Sequence, residues 1–450
     1  MKKLKSEIVV VGGGVAGCMA ALAAARNGSD VILVERYGFL GGVATNALVG
    51  PSQTFHAGEE QIIKGFGQEL VDRMVRRNAS PGHIYDMIGF VSTLTPFNSE
   101  ELKVVLEEML LESNVKIMYH STMHNIEKDN DLIKSIIVRN RGDEYEIEGD
   151  VFIDCSGDAD LVYLADGPYQ LGRKKDNKVQ PMSLMFKMGG INFEPLRKAI
   201  KDNPDDFVLS KDRDGKKPWE FPYVAVNGYF SKVKEAKENG DFDVPRDRVL
   251  FFEQPSPGVI TVNMTRVVDK NPVNGKELGE AEVESRRQVI NTINFLKNYL
   301  PGFDSSYLIA IAPQIGIRES RRLVGDYVLT GKDIIQKSRF DNAISRGSYP
   351  IDIHSPDGEE MEVQSLEDGE WYHIPRECLI TSEIPNLLVA GRNISTTHEA
   401  HASTRIQPSS MALGQAAGTN AALAVKFNKF PLEVDIQKLQ DNLRKGNAII

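Results

Sequence analysis

The stretch T-H-E-A-H-A-S-T-R, residues 397–405, gathers His398, Glu399, His401 and Arg405. Imidazoles take and give protons near neutral pH, and a guanidinium binds carboxylate or phosphate through paired hydrogen bonds. The two histidines lie three apart, whereas a zinc-binding H-E-x-x-H helix needs them four apart, so no metal centre is expected. Acid/base or ring contacts to a bound cofactor, and a purely structural hydrogen-bonding role, both stay open for this pair. A second stretch, G-I-R-E-S-R-R, carries Arg318, Glu319, Arg321 and Arg322 behind an apolar strand, Ile309 to Ala312. Arg318 could clamp an anion; an ion-pair network joining two parts of the chain is the alternative. In Y-P-I-D-I-H, Asp352 and His354 alternate as they would on one face of a strand. His398, His401, Arg405, His354 and Arg318 are therefore the candidate catalytic groups.

The element that could organise them lies at the other end of the chain. Residues 7–36, E-I-V-V-V-G-G-G-V-A-G-C-M-A-A-L-A-A-A-R-N-G-S-D-V-I-L-V-E-R, read as a βαβ unit: strand Glu7 to Val11, glycine turn, helix Val15 to Asn27, strand Asp30 to Glu35. Gly12, Gly14 and Gly17 satisfy G-x-G-x-x-G. These glycines suit, in turn, a tight turn, close approach of backbone to a pyrophosphate, and close helix–strand packing. Val15 and Ala16 open a helix whose free N–H groups attract that pyrophosphate. Glu35, 18 residues beyond Gly17, stands where a ribose hydroxyl would be held, with Arg36 beside it. Together these residues predict a bound dinucleotide.

The following residues favour FAD over NAD. G-F-L-G-G-V-A-T-N adds the pair Gly41-Gly42 and Thr45, a turn able to follow a longer cofactor. In D-C-S-G-D-A-D, Ser156, Gly157 and Asp158 could close over the cofactor, although a turn-forming Asp after a glycine explains Asp158 almost as well. L-L-V-A-G-R ends in Gly391-Arg392. A helix starting at about Pro408 would then aim its N-terminus, near Ser410, Met411 and Ala412, at the pyrimidine side of a flavin.

Elsewhere, Leu102, Val105, Leu106, Met109 and Leu110 predict a helix after Asn98, with Asn98 and Glu101 as its cap pair. Strands are expected at Pro181–Gly190 and Gly258–Val267, flanking a polar, Pro-rich region from Asn203 to Phe252. Val289, Ile293, Leu296 and Leu300 mark one face of a long helix.

The totals narrow the function classes. With 63 acidic and 53 basic residues in 450, a net charge of −10 argues against a nucleic-acid partner. No apolar run suits a membrane span, and Ile8 to Val11 is too short for a signal-peptide core, so a cytoplasmic protein with no membrane partner is expected. Cys18, Cys155 and Cys378 show no C-x-x-C spacing, so redox chemistry must come from a cofactor. There is no second G-x-G-x-x-G unit for NAD(P)H.

Taken together, V-V-V-G-G-G-V-A-G, G-F-L-G-G-V-A-T-N, D-C-S-G-D-A-D-L, Q-P-M-S-L-M-F-K-M-G-G, V-N-M-T-R-V, A-P-Q-I-G-I-R-E-S-R-R-L-V-G-D-Y-V-L-T, Y-P-I-D-I-H and the run L-L-V-A-G-R to N-A-A carry a resemblance over nearly the whole chain. It resembles the bacterial FAD-dependent oxidoreductase family, within the glutathione-reductase-like flavoproteins. That family is similar to the flavoprotein subunits of succinate dehydrogenase and fumarate reductase and to the flavin subunit of heterodisulfide reductase. The cluster cysteines of the last, and the histidine that links flavin covalently in the first, have no counterpart here. Non-covalent FAD is therefore expected.

The expected fold is α/β: a discontinuous Rossmann-like FAD-binding domain, 1–166 and 375–450, with an inserted α+β substrate domain, 167–374. The expected function is hydride exchange between FAD and a small organic substrate bound between the domains. A flavin subunit of a larger electron-transfer complex, and a cofactor-free binding module, are the alternatives. A homo-oligomer and a redox partner protein both stay open.

Overall fold

The computed structural model describes residues 1–358 and 361–450. The chain starts its first layer with strand β1 (Ile8–Val11), helix α1 (Val15–Arg26) and strand β2 (Val31–Val34), the predicted βαβ unit trimmed by about a residue at its ends. Helix α2 (Ser99–Glu112) buries the five predicted apolar residues. Its cap differs from expectation. Asn98 accepts from the Glu100 N–H at 2.9 Å, and Glu101 instead receives Arg77 Nε at 2.7 Å. Strand β3 (Lys116–Met118) follows, then an antiparallel excursion of β4 (Ser121–Asp129), β5 (Leu132–Asn140) and β6 (Asp143–Glu148), then β7 (Val151–Asp154).

A second layer comprises β8 (Phe186–Gly189), β9 (Ala225–Gly228), β10 (Val249–Glu253), β11 (Ile260–Val262), helix α3 (Gly275–Tyr299) and β12 (Tyr307–Ile311). The chain then returns through β13 (Ile351–His354), β14 (Leu387–Val389), α4 (His398–Thr404) and α5 (Gln407–Phe427).

The central sheet runs β14-β7-β1-β2-β3, all parallel. Its strands Ile-Val-Val-Val, Val-Ile-Leu-Val and Val-Phe-Ile-Asp are buried throughout. An unbroken apolar run, rather than alternation, is what a parallel sheet covered on both faces requires. The register pairs Val11 with Val34 and with Asp154, and Asp154 with Val389. Four strand ends thus finish at one edge, where open α/β sheets bind their ligands.

Helix α5 seals this layer by lying directly against α1. A Cβ on Gly414 would stand 2.1 Å from Ala16 O, and one on Gly418 would stand 2.0 Å from Ala20 O. Only a residue without Cβ permits that approach. Gly418→Val should therefore destabilise the fold by about 1–3 kcal/mol or more through overpacking, read as a lower midpoint in urea unfolding. An unchanged midpoint would mean the helices part at no cost.

The second sheet, β9-β10-β11-β8-β12, is antiparallel. Two differences from expectation concern this layer. The Pro-rich region Asn203 to Phe252 contains β9 and β10 and a helix, Phe230–Glu238, rather than only polar connection. The predicted strands 181–190 and 258–267 shorten to Phe186–Gly189 and Ile260–Val262.

The hydrophobic cores also divide elsewhere than at 167 and 374. Residues between Met182 and Ile317 pack into the second core, joined by Met87, Ile88 and Leu94 from the first part of the chain. Leu323, Ile344, Ile351, Tyr372 and Ile374 pack instead with the parallel sheet. The reason is connectivity: Arg321–Leu323 pairs with Tyr169–Leu171, which returns the chain to the first layer well before residue 374. Among the described residues no helix is long and apolar enough to cross a membrane.

Candidate active site

A cleft of about 570 Å³ opens at the strand ends of the parallel sheet and continues to the antiparallel sheet. Beside α1 it is lined by Gly12, Gly14, Val15, Ala16, Glu35, Arg36, Gly41, Gly42, Ser156 and Gly157, with Gly391 and Arg392 against them; Ile406, Gln407 and Ser410 line it as well. Arg318, Tyr349, Asp352, His354 and Arg405 line the far part, among Met185, Leu250 and Phe252. Ser121, Thr122 and Met123 of β4 also line the cleft, a contribution the sequence reading missed.

The glycine motif separates into packing and cradle. Gly12 has φ +101°, and a Cβ there would meet Cys155 O at 2.4 Å; a Cβ on Gly17 would meet Gly12 O at 1.8 Å. These two are required by the protein's own backbone. Gly14 has ordinary φ −67° and ψ 176°, and a Cβ there would meet nothing closer than Gly42 Cα at 3.8 Å. What Gly14 keeps clear is the cleft itself, the space a pyrophosphate needs.

Glu35 is buried and held by two backbone donors, Gly13 N at 2.6 Å on Oε2 and Tyr37 N at 2.8 Å on Oε1. Burial pushes its carboxyl up, against the pull of these bonds and of Arg36. The residues present suit a dinucleotide: an open glycine cradle at a helix N-terminus, with a fixed carboxylate for the ribose.

Several predicted cofactor contacts lie behind the lining instead. Thr45 Oγ1 donates to Leu40 O at 2.6 Å and Gly42 O at 3.2 Å, so it braces the glycine turn rather than facing the cleft. Asp158 binds Arg392 and accepts from Ser320 Oγ at 2.7 Å. Burial opposes its ionisation, yet Arg392, Ser320 and Arg36 hold its carboxyl below the ordinary range. It therefore orients Arg392, which does line the cleft. Each helical step turns about 100°, so Ser410 faces the cleft while Met411 points toward Gly67 and Ala412 is outside the lining. Gly17 is pressed against Gly12.

The loop after Asp86 forms another wall through Ile88 and Phe90. Asp86 is buried and accepts from the N–H groups of Ile88, Phe90 and Val91 at 3.1, 2.8 and 3.1 Å. Burial still pushes its carboxyl up from 3.8 to about 6. Between those values the folded chain keeps a proton that the unfolded chain releases, so this residue's contribution to stability falls as pH rises through the window. Asp86→Asn should remove that loss. The unfolding free energy of the variant should gain on wild type by about 2–3 kcal/mol between pH 4 and 7, measured in urea; a constant difference would remove Asp86 from the account.

At the far end the segment G-I-R-E-S-R-R points its charges in three directions. Arg318 reaches the cleft, its Nη1 donating to Pro181 O at 2.7 Å and Ser183 Oγ at 2.8 Å. Glu319 and Arg322 are buried and paired, with Arg322 also bonded to Thr396 O and Gly172 O. Arg321 turns to Asp158 O at 2.8 Å and Asp160 at 2.5 Å. Glu319, Arg321 and Arg322 thus form the ion-pair network that joins parts of the chain, and Arg318 alone of the four charges lines the cleft.

His398 and His401 do not line the cleft, contrary to their place among the candidate catalytic groups. His398 Nδ1–H donates to Glu319 at 2.8 Å, inside the buried ion-pair network. His401 is wholly buried and its Nε2–H donates to Arg318 O at 3.0 Å. Burial and the charges of Arg322 and Arg405 keep its imidazole neutral, far below its ordinary value. Helix α4 carries both histidines on the side that packs the protein together, and the next residues, Arg405 to Gln407, reach the cleft.

His354 does line it. Its Nε2 lies 3.3 Å from Asp352 Oδ2, its backbone N–H donates to Gln180 Oε1 at 3.3 Å, and its Nδ1 is buried without a partner. Burial pulls the imidazole down to about 3, helped by Arg318 and Arg246 and opposed by Asp352. Asp352, despite its burial, is held ionised by His354, Arg405 and Arg318. The two belong to β13, which packs with the first core rather than with the inserted layer. Arg405 Nη2 is 3.6 Å from Asp352 Oδ2, and Tyr349 Oη donates to it at 3.4 Å.

A parallel sheet with a glycine cradle at its strand ends, sharing one cleft with the charged residues Arg318, Asp352, His354 and Arg405, suits a dinucleotide-dependent oxidoreductase. The chain belongs to the FAD dependent oxidoreductase family, whose model matches residues 7–443. It is an α/β flavoprotein with FAD as its cofactor. It is 47% identical over 53 residues to dihydrolipoyl dehydrogenase of Buchnera aphidicola subsp. Acyrthosiphon pisum (strain APS), a stretch covering 12% of this chain and 11% of that enzyme. A geranylgeranyl bacteriochlorophyll reductase-like protein of Thermoplasma acidophilum superposes with TM-score 0.47 at 12% identity, over 99% of this chain and 85% of the other. L-proline dehydrogenase of P. horikoshii gives 0.43 at 11% identity, over 100% of both chains.

Proposed function

We propose that this protein exchanges hydride between a small organic substrate and non-covalently held FAD, with the substrate bound at the Arg318–Asp352–His354–Arg405 end of the cleft. The observation that carries this reading is continuity: one cleft joins the Gly14 cradle to a buried, unpartnered imidazole nitrogen. Bound FAD supplies the two-electron partner of a substrate carbon. The protein supplies position and proton.

Gly12, Gly14 and Glu35 would hold the cofactor at the cradle end, with Ser410 at the start of α5 lining the same cleft. His354 handles the proton that accompanies the hydride. Nε2 lies 3.3 Å from ionised Asp352, and Nδ1, buried without a hydrogen-bond partner, is left as the proton acceptor. In the oxidising direction a C–H bond breaks with its electron pair leaving as hydride, and a proton passes from the adjacent O–H or N–H to Nδ1. A C=O or C=N bond is left behind. The reducing direction reverses each transfer. His401 acts behind Arg318, bracing the backbone that presents this side chain.

The visible spectrum of the purified protein, before and after heat denaturation and centrifugation, tests the cofactor part. Flavin absorption released into the supernatant is expected. Anaerobic bleaching by a panel of oxidisable small molecules, and by reduced pyridine nucleotide, tests the reaction. A protein that carries FAD but is bleached by none of them would sink the hydride reading.

A further inference from the structure

Resting on that reading of the cleft, we infer that its far end is a carboxylate subsite, so that the substrate is a small organic acid anchored between Arg318 and Arg405. The first argument is charge. Arg318 and Arg405 line this end, and Arg246 is buried close behind them. Asp352 is a carboxylate of the same lining: its Oδ2 meets His354 at 3.3 Å, Tyr349 at 3.4 Å and Arg405 at 3.6 Å, and its Oδ1 has no hydrogen-bond partner, so one carboxylate stands against three guanidinium groups. Three guanidinium groups so confined are poorly compensated. Burial and the neighbouring Arg246, Arg405 and Arg266 pull the Arg318 guanidinium well below its ordinary value, with Asp352 opposing. An arginine does not escape such a situation by losing its proton, so the missing compensation is an anion from outside.

The second argument is geometry. Two bonds from Nη1, to Pro181 O and Ser183 Oγ, fix the Arg318 guanidinium in place. Its Nε and Nη2 have no hydrogen bond within the described protein, which leaves one edge free toward the cleft. Arg405 Nε is likewise buried without a partner. Paired N–H groups on a planar fork match the two oxygens of a carboxylate.

The neighbours choose the type of anion. Asp352 stands 3.6 Å from Arg405, so a phosphate dianion would bring extra negative charge against it, while a planar monoanion would not. Met185 and Phe252 supply apolar wall for the carbon skeleton. His354, whose Nδ1 has no hydrogen-bond partner, lines the same cleft, so a carboxylate held there brings the adjoining carbons toward it.

The test uses the FAD-loaded protein and defined probes: acetate, propionate, butyrate and benzoate, each beside its own amide, with methyl phosphate and phenyl phosphate. Binding is read by calorimetry and by the perturbation of the flavin absorption bands. At least one carboxylate is expected to bind tenfold or more tighter than its amide. Arg318→Gln and Arg405→Lys should each weaken that binding at least tenfold with FAD content unchanged; the lysine keeps the charge and loses the fork, and it carries the test should Arg318→Gln not fold. Carboxylates that bind no better than their amides, phosphates that bind better than both, or variants that bind normally would each overturn the inference. Carboxylate binding in a protein never bleached by any substrate would keep this subsite and remove the hydride reading. Bleaching by neutral molecules with no carboxylate preference would do the opposite.

Discussion

Gly14→Val should yield a folded protein that purifies without flavin, its affinity for FAD lowered at least 100-fold. The backbone at Gly14 has dihedrals open to any residue, and the nearest atom to a new Cβ is Gly42 Cα at 3.8 Å. A Cβ therefore meets no protein clash, and the rest of the valine side chain grows into the cradle. A 100-fold loss corresponds to about 2.7 kcal/mol, modest for blocking backbone donors at a helix N-terminus from a pyrophosphate. Gly17→Val makes the contrast. Its Cβ would overlap Gly12 O, so this variant should lose the fold itself. The measurement is the ratio of 450 nm to 280 nm absorbance alongside far-UV circular dichroism, where the wavelengths are roughly those of any flavoprotein. Full flavin content in folded Gly14→Val would place the cofactor somewhere other than this cradle.

His354→Ala should slow reduction of the bound flavin by its substrate about 10²–10⁴-fold, the usual worth of a positioned acid/base group. FAD content should not change, because His354 comes from β13 and not from the glycine cradle at the strand ends. Asp352→Asn should produce a comparable loss with the imidazole still present. An ionised Asp352 favours the tautomer with the proton on Nε2; an amide there accepts or donates and no longer makes that choice. Since burial holds the free imidazole near 3, neutral His354 is available throughout the pH range 5–8. The His354 limb of the wild-type rate profile should therefore be flat in that window. Anaerobic stopped-flow reduction checks all three statements. A His354→Ala rate equal to wild type would return this histidine to a structural role.

Much of the first layer was legible because its signals are local. The glycines at 12, 14 and 17 follow an apolar strand and open a small-residue helix, and those requirements act between residues close in the chain. The second layer was legible only where it was regular. Residues 203–252 look like connection because Pro, Lys and Asp crowd around two short apolar runs, Tyr223–Val226 and Val249–Phe252, yet β9 and β10 form there by pairing with each other and with β11. Non-local pairing leaves little trace in a short window.

The site divides in the same way. From the residues alone came FAD as the cofactor, the glycines and the carboxylate that line the cleft beside α1, and the presence of reactive His, Arg and Asp in three separated segments. Which of those reactive groups meet was decided by the tertiary structure. His398 and His401 stand only a few residues before cleft-lining Gln407, but the turn of α4 sends them into the protein interior, against Glu319 and Arg318 O. His354, some fifty positions earlier, is carried into the cleft by the hairpin strand β13. Spacing in sequence specifies the face of one helix or strand. Which face looks into a cleft depends on the element that packs behind it, and for α4 that element is the buried Glu319–Arg322 pair contributed by a segment about eighty residues away.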